Sequence, residues 1–225
     1  MREIKNPIKE VEDTQIGVKP SSRSDVLRSI DKEITVHLRG GAGGQETGHE
    51  DSGEEEEGYE YEFEDAFQTH RNRDIDIYRP VAGTAASVVS EQDERGFFAD
   101  EGIPQNQLQK VANADPDYNC HGYTFANGKG WITESSAVRR IVSDNQIRET
   151  HHPKVDDVVL YQDNVHSGVV VALDPNGRPI IESKFGKYGL YRHYAGTLSG
   201  AYGTHRYYRP HPDIGRVLYG AYDSD

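Results

Sequence analysis

Apolar, β-branched runs dominate the second half of this chain, and helix-like spacing precedes them. Val155-Asp156-Asp157-Val158-Val159-Leu160-Tyr161 and Gly168-Val169-Val170-Val171-Ala172-Leu173 have the composition of buried strands. With the alternations that follow, the pattern predicts strands over 156–162, 165–173, 179–185, roughly 188–194 and 204–208. Upstream, Val138, Ile141 and Val142 form one stripe of a helix over 134–143, with Thr133 as its cap. Leu108 and Val111 share a face of a modest helix over 105–112, while Trp131-Ile132 and Phe97-Phe98 read as core. Helices followed by a meandering antiparallel sheet make an α+β plan.

Toward the N-terminus the apolar pattern thins. Ser24 is placed to cap a turn or two of helix, Ile34-Thr35-Val36-His37-Leu38-Arg39 alternates like a strand, and Gly40-Gly41-Ala42-Gly43-Gly44 reads as a linker. Residues 40–70 then carry eleven acids and no Lys or Arg, most of the formal charge of −13. Glu54-Glu55-Glu56-Glu57 leads into Tyr59, Tyr61 and Phe63 alternating with Glu60, Glu62 and Glu64. Such a stretch is either a disordered acidic spacer or an acidic-aromatic segment that docks on a basic groove, its own active site or a partner's. Asp74-Ile75-Asp76-Ile77-Tyr78 is a further short alternation, and order is expected to resume between 70 and 100. The expected division is an acidic, partly disordered extension over 1–95 and a catalytic domain over 96–225.

Composition narrows the function classes. A chain whose acidity sits in one segment does not bind nucleic acid through phosphate neutralisation. One cysteine in 225 residues permits no intramolecular disulfide. No apolar run reaches the roughly 20 residues of a membrane span, and Met1-Arg2-Glu3-Ile4-Lys5 leads into no signal-peptide core. The expectation is a soluble, cytoplasmic protein, unless it is exported by a route that leaves no such signal.

That lone cysteine is the candidate for chemistry. It lies in Tyr118-Asn119-Cys120-His121-Gly122-Tyr123-Thr124-Phe125, just after Asp115-Pro116-Asp117. Pro116 disfavours helix before it, Asn119 is a good N-cap, and Asn127-Gly128-Lys129-Gly130 closes the helix. Cys120 then falls in a first helical turn, where free N–H groups and the helix dipole favour a thiolate and can hold an oxyanion. A base follows forty-six residues later in Asn164-Val165-His166-Ser167-Gly168-Val169, with His166 at the mouth of a strand. A thiol at a helix start and a histidine at a strand start are two halves of a thiol-hydrolase site. The order Cys-His-Gly-aromatic, Val155–Tyr161 strand, His166-Ser167-Gly168-Val169 resembles the NlpC/P60-like branch of the papain-like superfamily, with its CHAP relatives, over roughly residues 105–210. The resemblance implies a cysteine helix packed on an antiparallel sheet and an amide hydrolase, a peptidase or amidase. It also implies peptide stems of bacterial cell wall as substrate, with protein or isopeptide substrates second.

The third position follows from register. Asp174-Pro175-Asn176-Gly177 is a hairpin turn, and a two- or four-residue loop there pairs residues whose numbers sum to an odd number. His166 then shares a face with Ile181, Ser183 and Phe185, so Ser183 is the expected orienter of the imidazole. A three- or five-residue loop, or one bulge, brings Glu182 or Lys184 round instead, and Glu182 is the stronger partner for an imidazolium. The relatives use His, Asn, Gln or an acid here, so a serine departs from their pattern. The other histidines (His121, His151, His152, His193, His205 and His211) show no metal-ligand spacing, and no cofactor is expected. Two further readings share these residues: a non-catalytic binding module whose acidic extension recruits a protein partner, and an acyltransferase.

Overall fold

The computed structural model describes residues 61–221, which build an α+β fold around antiparallel sheets. Elements run β1 (Tyr61–Gln68), β2 (Asp74–Pro80), α1 (Glu91–Asp100), β3 (Gln109–Ala112), α2 (Cys120–Phe125) and α3 (Ser135–Asp144). After these come β4 (Arg148–Thr150), β5 (Val158–Tyr161), β6 (Ser167–Leu173), β7 (Pro179–Lys184), β8 (Leu190–Tyr194), α4 (Ser199–Tyr202) and β9 (His205–Arg209). The main sheet has seven strands in the order β3-β8-β7-β6-β5-β9-β4, and β1 and β2 form a separate hairpin.

Both faces of the main sheet are buried, and alternation along β5 shows it. Val158 and Leu160 join a core with Phe125, Ile132, Val138 and Ile141. Val159 and Tyr161 join the opposite core with Phe98, Val170, Ile181, Phe185 and Tyr202. Full burial of each such side chain stabilises by about 1.5–3 kcal/mol, which is why the apolar run is continuous rather than alternating. Phe67, Ile75 and Ile77 of the β1–β2 hairpin complete the first core.

That hairpin corrects the expected domain division. A boundary at 95/96 cuts through α1, and the hairpin upstream of it is built into the same core as the cysteine helix. The acidic alternation is a strand in its described part: Glu62 and Glu64 are exposed, Tyr61 packs on Trp131 with ring centroids 4.9 Å apart, and Phe63 meets Tyr78 edge-on at 6.2 Å. The turn and strand expected within 25–39, the linker and the acidic run up to residue 60 lie outside the described residues.

Two more expectations change. Residues 105–112 form one 3-10 turn, Gln105–Gln107, and then β3, because backbone pairing of Gln109, Lys110 and Ala112 with β8 outweighs local helix preference. The second helix begins at Ser135 after Glu134, not at a Thr133 cap, and the Thr133 hydroxyl is left buried with no hydrogen-bond partner. No described helix is long and apolar enough to cross a membrane.

Candidate active site

Local chemistry positions the cysteine as its sequence suggests. Asn119 caps α2: its Oδ1 accepts from Gly122 N–H at 2.8 Å and Ile132 N–H at 3.3 Å, and its Nδ2 donates to the Ile132 carbonyl at 2.9 Å. The cap therefore ties the start of α2 to Trp131-Ile132. The helix is closed through Gly128, which has φ 77° and donates its N–H to the Gly122 carbonyl at 3.0 Å. Gly122 itself has no alternative, since a Cβ there would sit 1.9 Å from the Gly130 carbonyl oxygen.

Cys120, His121 and His166 line one cleft of about 170 Å³, walled also by Trp131, Thr133 and Tyr202. Burial pushes the Cys120 thiol up. The charges of His121 and His166, and hydrogen bonds to both, outweigh it and hold the thiol well below its ordinary value. His166 stands at the entrance of β6, as expected. Its ring stacks on Tyr202 at 4.5 Å and lies 5.1 Å from Phe185, and its Nε2 is buried with no partner. Two orphaned polar atoms, His166 Nε2 and Thr133 Oγ1, thus belong to residues lining the same cleft.

His121 is the site residue that sequence reasoning passed over. Its Nδ1 lies 2.8 Å from Ser167 Oγ, which donates to the Cys120 carbonyl at 3.1 Å. Ser167 Oγ has one proton and three neighbours, the Cys120 carbonyl, Thr124 Oγ1 at 3.0 Å and His121 Nδ1, so His121 Nδ1 is held against the hydroxyl in either tautomer. Nε2 is then the nitrogen left to meet the thiol. Adjacency in the sequence was the available signal, but the strand that supplies Ser167 is forty-six residues away from His121.

The register argument ends where it was aimed, by an unexpected route. Leu173 pairs with Pro179 across a five-residue loop, and a bulge falls between Val170 and Ala172. Either feature alone brings Glu182 round; together they cancel, and Val170 pairs with Ile181 and Val169 with Glu182. Ser183 therefore does share the His166 face. Its hydroxyl is engaged elsewhere, 2.6 Å from His193 Nε2. His193 Nδ1 is 3.0 Å from the Tyr194 carbonyl and must donate to it, so Nε2 accepts and Ser183 donates. Burial lowers the His193 pKa to about 4, partly opposed by that carbonyl and reinforced by the neighbouring charge of His166. Glu182 lies on the opposite face, accepting from Tyr123 Oη at 2.6 Å and Arg192 Nε at 2.8 Å. The structure thus brings Cys120 and His166 together and places neither Ser183 nor Glu182 on the imidazole.

Lys184, fully buried, donates to the carbonyls of Asp115 (2.6 Å), Gly186 (2.7 Å) and Tyr188, pinning the loop that leads into α2. Burial lowers its pKa to about 8, against the raising influence of Asp115 and Cys120. Among the described residues no group of three His, Cys, Asp or Glu is arranged to hold a metal ion. Comparison with protein-family models, with curated proteins and with solved structures finds no match to this chain.

Proposed function

We propose that the chain is a cysteine-dependent hydrolase of amide bonds, a peptidase or amidase with a papain-like plan. The observation that carries this reading is the cleft in which a thiol of lowered pKa meets two imidazoles, beside two buried polar atoms that lack partners. Cys120 Sγ, as thiolate, attacks the carbonyl carbon of the bound amide, and the oxyanion is met by the N–H of Cys120. As the C–N bond breaks, His166 gives its proton to the leaving amine and an acyl-thioester remains. Neutral His166 then takes a proton from water, the hydroxide attacks the thioester, the acid departs, and the proton returns the dyad to its starting form. His121 supplies a second positive neighbour to the thiolate. Thr133 Oγ1 supplies a polar contact for the substrate. Cell-wall stem peptides are the first substrate class, protein or isopeptide bonds the second.

The test is an electrophilic thiol probe on wild type, Cys120→Ala and His166→Ala, competed with cell-wall fragments and generic peptides. Labelling and turnover should vanish in both variants, and the double variant should be no worse than either. Turnover by a folded Cys120→Ala chain would sink the assignment. Transfer of the acyl group to an added amine in preference to water would move the protein to the acyltransferases. An unreactive thiol with tight peptide binding would leave a binding module.

A further inference from the structure

Away from the cysteine, a second and larger cleft of about 670 Å³ is lined by Arg71, Arg139 and Arg148 together with Tyr208 and Asn164. All three arginines are exposed, and none makes a described ion pair. The acids near them are already engaged: Asp144 by Arg73 and Thr69, and Glu149 by Arg206. Among the described residues no carboxylate lines the cleft. Three guanidiniums that make no ion pair among the described residues, Arg71 acting on Asp144 only at longer range, share one groove on a chain whose formal charge is −13, and they meet an obvious complement. Residues 46–60 hold eight carboxylates and no Lys or Arg.

We propose that the acidic run over residues 46–60 docks in this arginine cleft, in cis. Reach permits it. The run ends where β1 begins, and Arg71 lies in the turn at the far end of that eight-residue strand, about 26 Å along. Fifteen residues of extended chain span up to about 50 Å. The cysteine cleft is the poorer host, since its walls carry Glu101 and neither Lys nor Arg. Asn164 lines both clefts, so the arginine cleft adjoins the cysteine cleft at that residue. Carboxylate–guanidinium pairs of this exposed kind are individually weak and are screened by salt, so docking is reversible.

The experiment uses the full chain and measures modification of each arginine by phenylglyoxal, read by mass spectrometry. The comparison chain carries Glu46→Gln, Glu50→Gln, Asp51→Asn, Glu54→Gln, Glu55→Gln, Glu56→Gln and Glu57→Gln, with an unchanged unfolding transition as the folding control. At low salt Arg71, Arg139 and Arg148 should react about tenfold more slowly in wild type, the shift that a few exposed pairs supply together. The exposed Arg95 should not differ. At 1 M salt, where the Debye length is about 3 Å, the two chains should react alike. A peptide of residues 46–60 added to the neutralised chain should restore protection, and Arg71→Gln/Arg139→Gln/Arg148→Gln should abolish binding of that peptide. Equal reactivity of the two chains at low salt overturns the proposal. Protection that grows with protein concentration assigns the cleft to a second copy and also overturns it. Protection by inorganic phosphate, with no effect of the neutralised run, makes it a free-anion site instead. None of these readouts depends on catalysis by Cys120.

Discussion

Buried His193 offers a test of the site's electrostatics that needs no substrate. Its folded pKa lies near 4 because burial disfavours the charged ring, whereas in the unfolded chain it returns to about 6.5. Between those two values the unfolded state binds more protons than the folded one, so stability rises with pH across the window and is lost as pH falls from about 6.5 to about 4. A drop from 6.5 to about 4, at 1.36 kcal/mol per pH unit, amounts to roughly 3 kcal/mol. His193 is only 4% exposed, so solvent screening reduces that figure little. The perturbation is His193→Gln, which keeps an acceptor for the Ser183 hydroxyl and removes the titration. Urea unfolding of the full chain at closely spaced pH values from 7 to 4 measures both proteins. Wild type should lose about 3 kcal/mol more than the variant over that window. A difference between the two that stays constant within about 0.5 kcal/mol refutes the reasoning, because His193 would then titrate alike in both states.

Three further outcomes are expected. Alkylation of Cys120 should show a pH midpoint well below the roughly 8.5 of a free thiol, and His121→Ala and His166→Ala should each move it upward, since each removes a positive neighbour; an unmoved midpoint in both breaks the electrostatic account. Gly122→Ala places a methyl 1.9 Å from the Gly130 carbonyl oxygen and should destabilise by about 3 kcal/mol in chemical denaturation; a neutral result means that α2 and the 127–130 turn are not packed as described. Lys184→Met leaves the carbonyls of Asp115, Gly186 and Tyr188 without their donor. It should cost about 3 kcal/mol and slow alkylation at Cys120, a pairing that calorimetry and the alkylation assay check together.

What could be read in the sequence divides by range. Asn119 as cap and the glycines after Phe125 are local devices and appear in the structure where the residues put them, whereas the Thr133 cap does not. Helix over 105–112 failed because β3 exists only through its pairing with β8, some eighty residues on. The β1–β2 hairpin was hidden for a different reason. Its period-two signal was present in Tyr61, Phe63, Ile75 and Ile77, but the charge density between them argued for disorder, and burial of Phe67, Ile75 and Ile77 overrides that argument. Ser183 falls on the expected face although the five-residue loop and the bulge, each of which alone would move it, both occur, since parity is blind to a pair of compensating slips. His121 was missed because nothing about a residue next to a cysteine says which strand will hold its ring.

Those same parities explain why the site has two imidazoles at the thiol and, among the described residues, no carboxylate bonded to His166. Val169 faces Glu182 across the β6–β7 pair, and alternation puts Ser167 and Lys184 on that same side of the sheet. All three polar side chains hold the cysteine segment: Ser167 through the Cys120 carbonyl, Glu182 through Tyr123, and Lys184 through the Asp115 carbonyl. The other face carries Phe185, Ser183 and His193, the surroundings of His166. The thiol is therefore delivered from one side of the sheet and the His166 imidazole from the other, and they meet at the strand ends, where His166 enters β6. Glu182 cannot orient the imidazole because its side chain is already committed to anchoring α2. A one-residue slip of β7 against β6 would exchange these duties, carrying Glu182 toward His166 while releasing the helix that holds Cys120. The five-residue loop and the bulge at the β6–β7 turn carry compensating shifts, so the register that puts Ser183 and Phe185 on the His166 side needs both of them or neither.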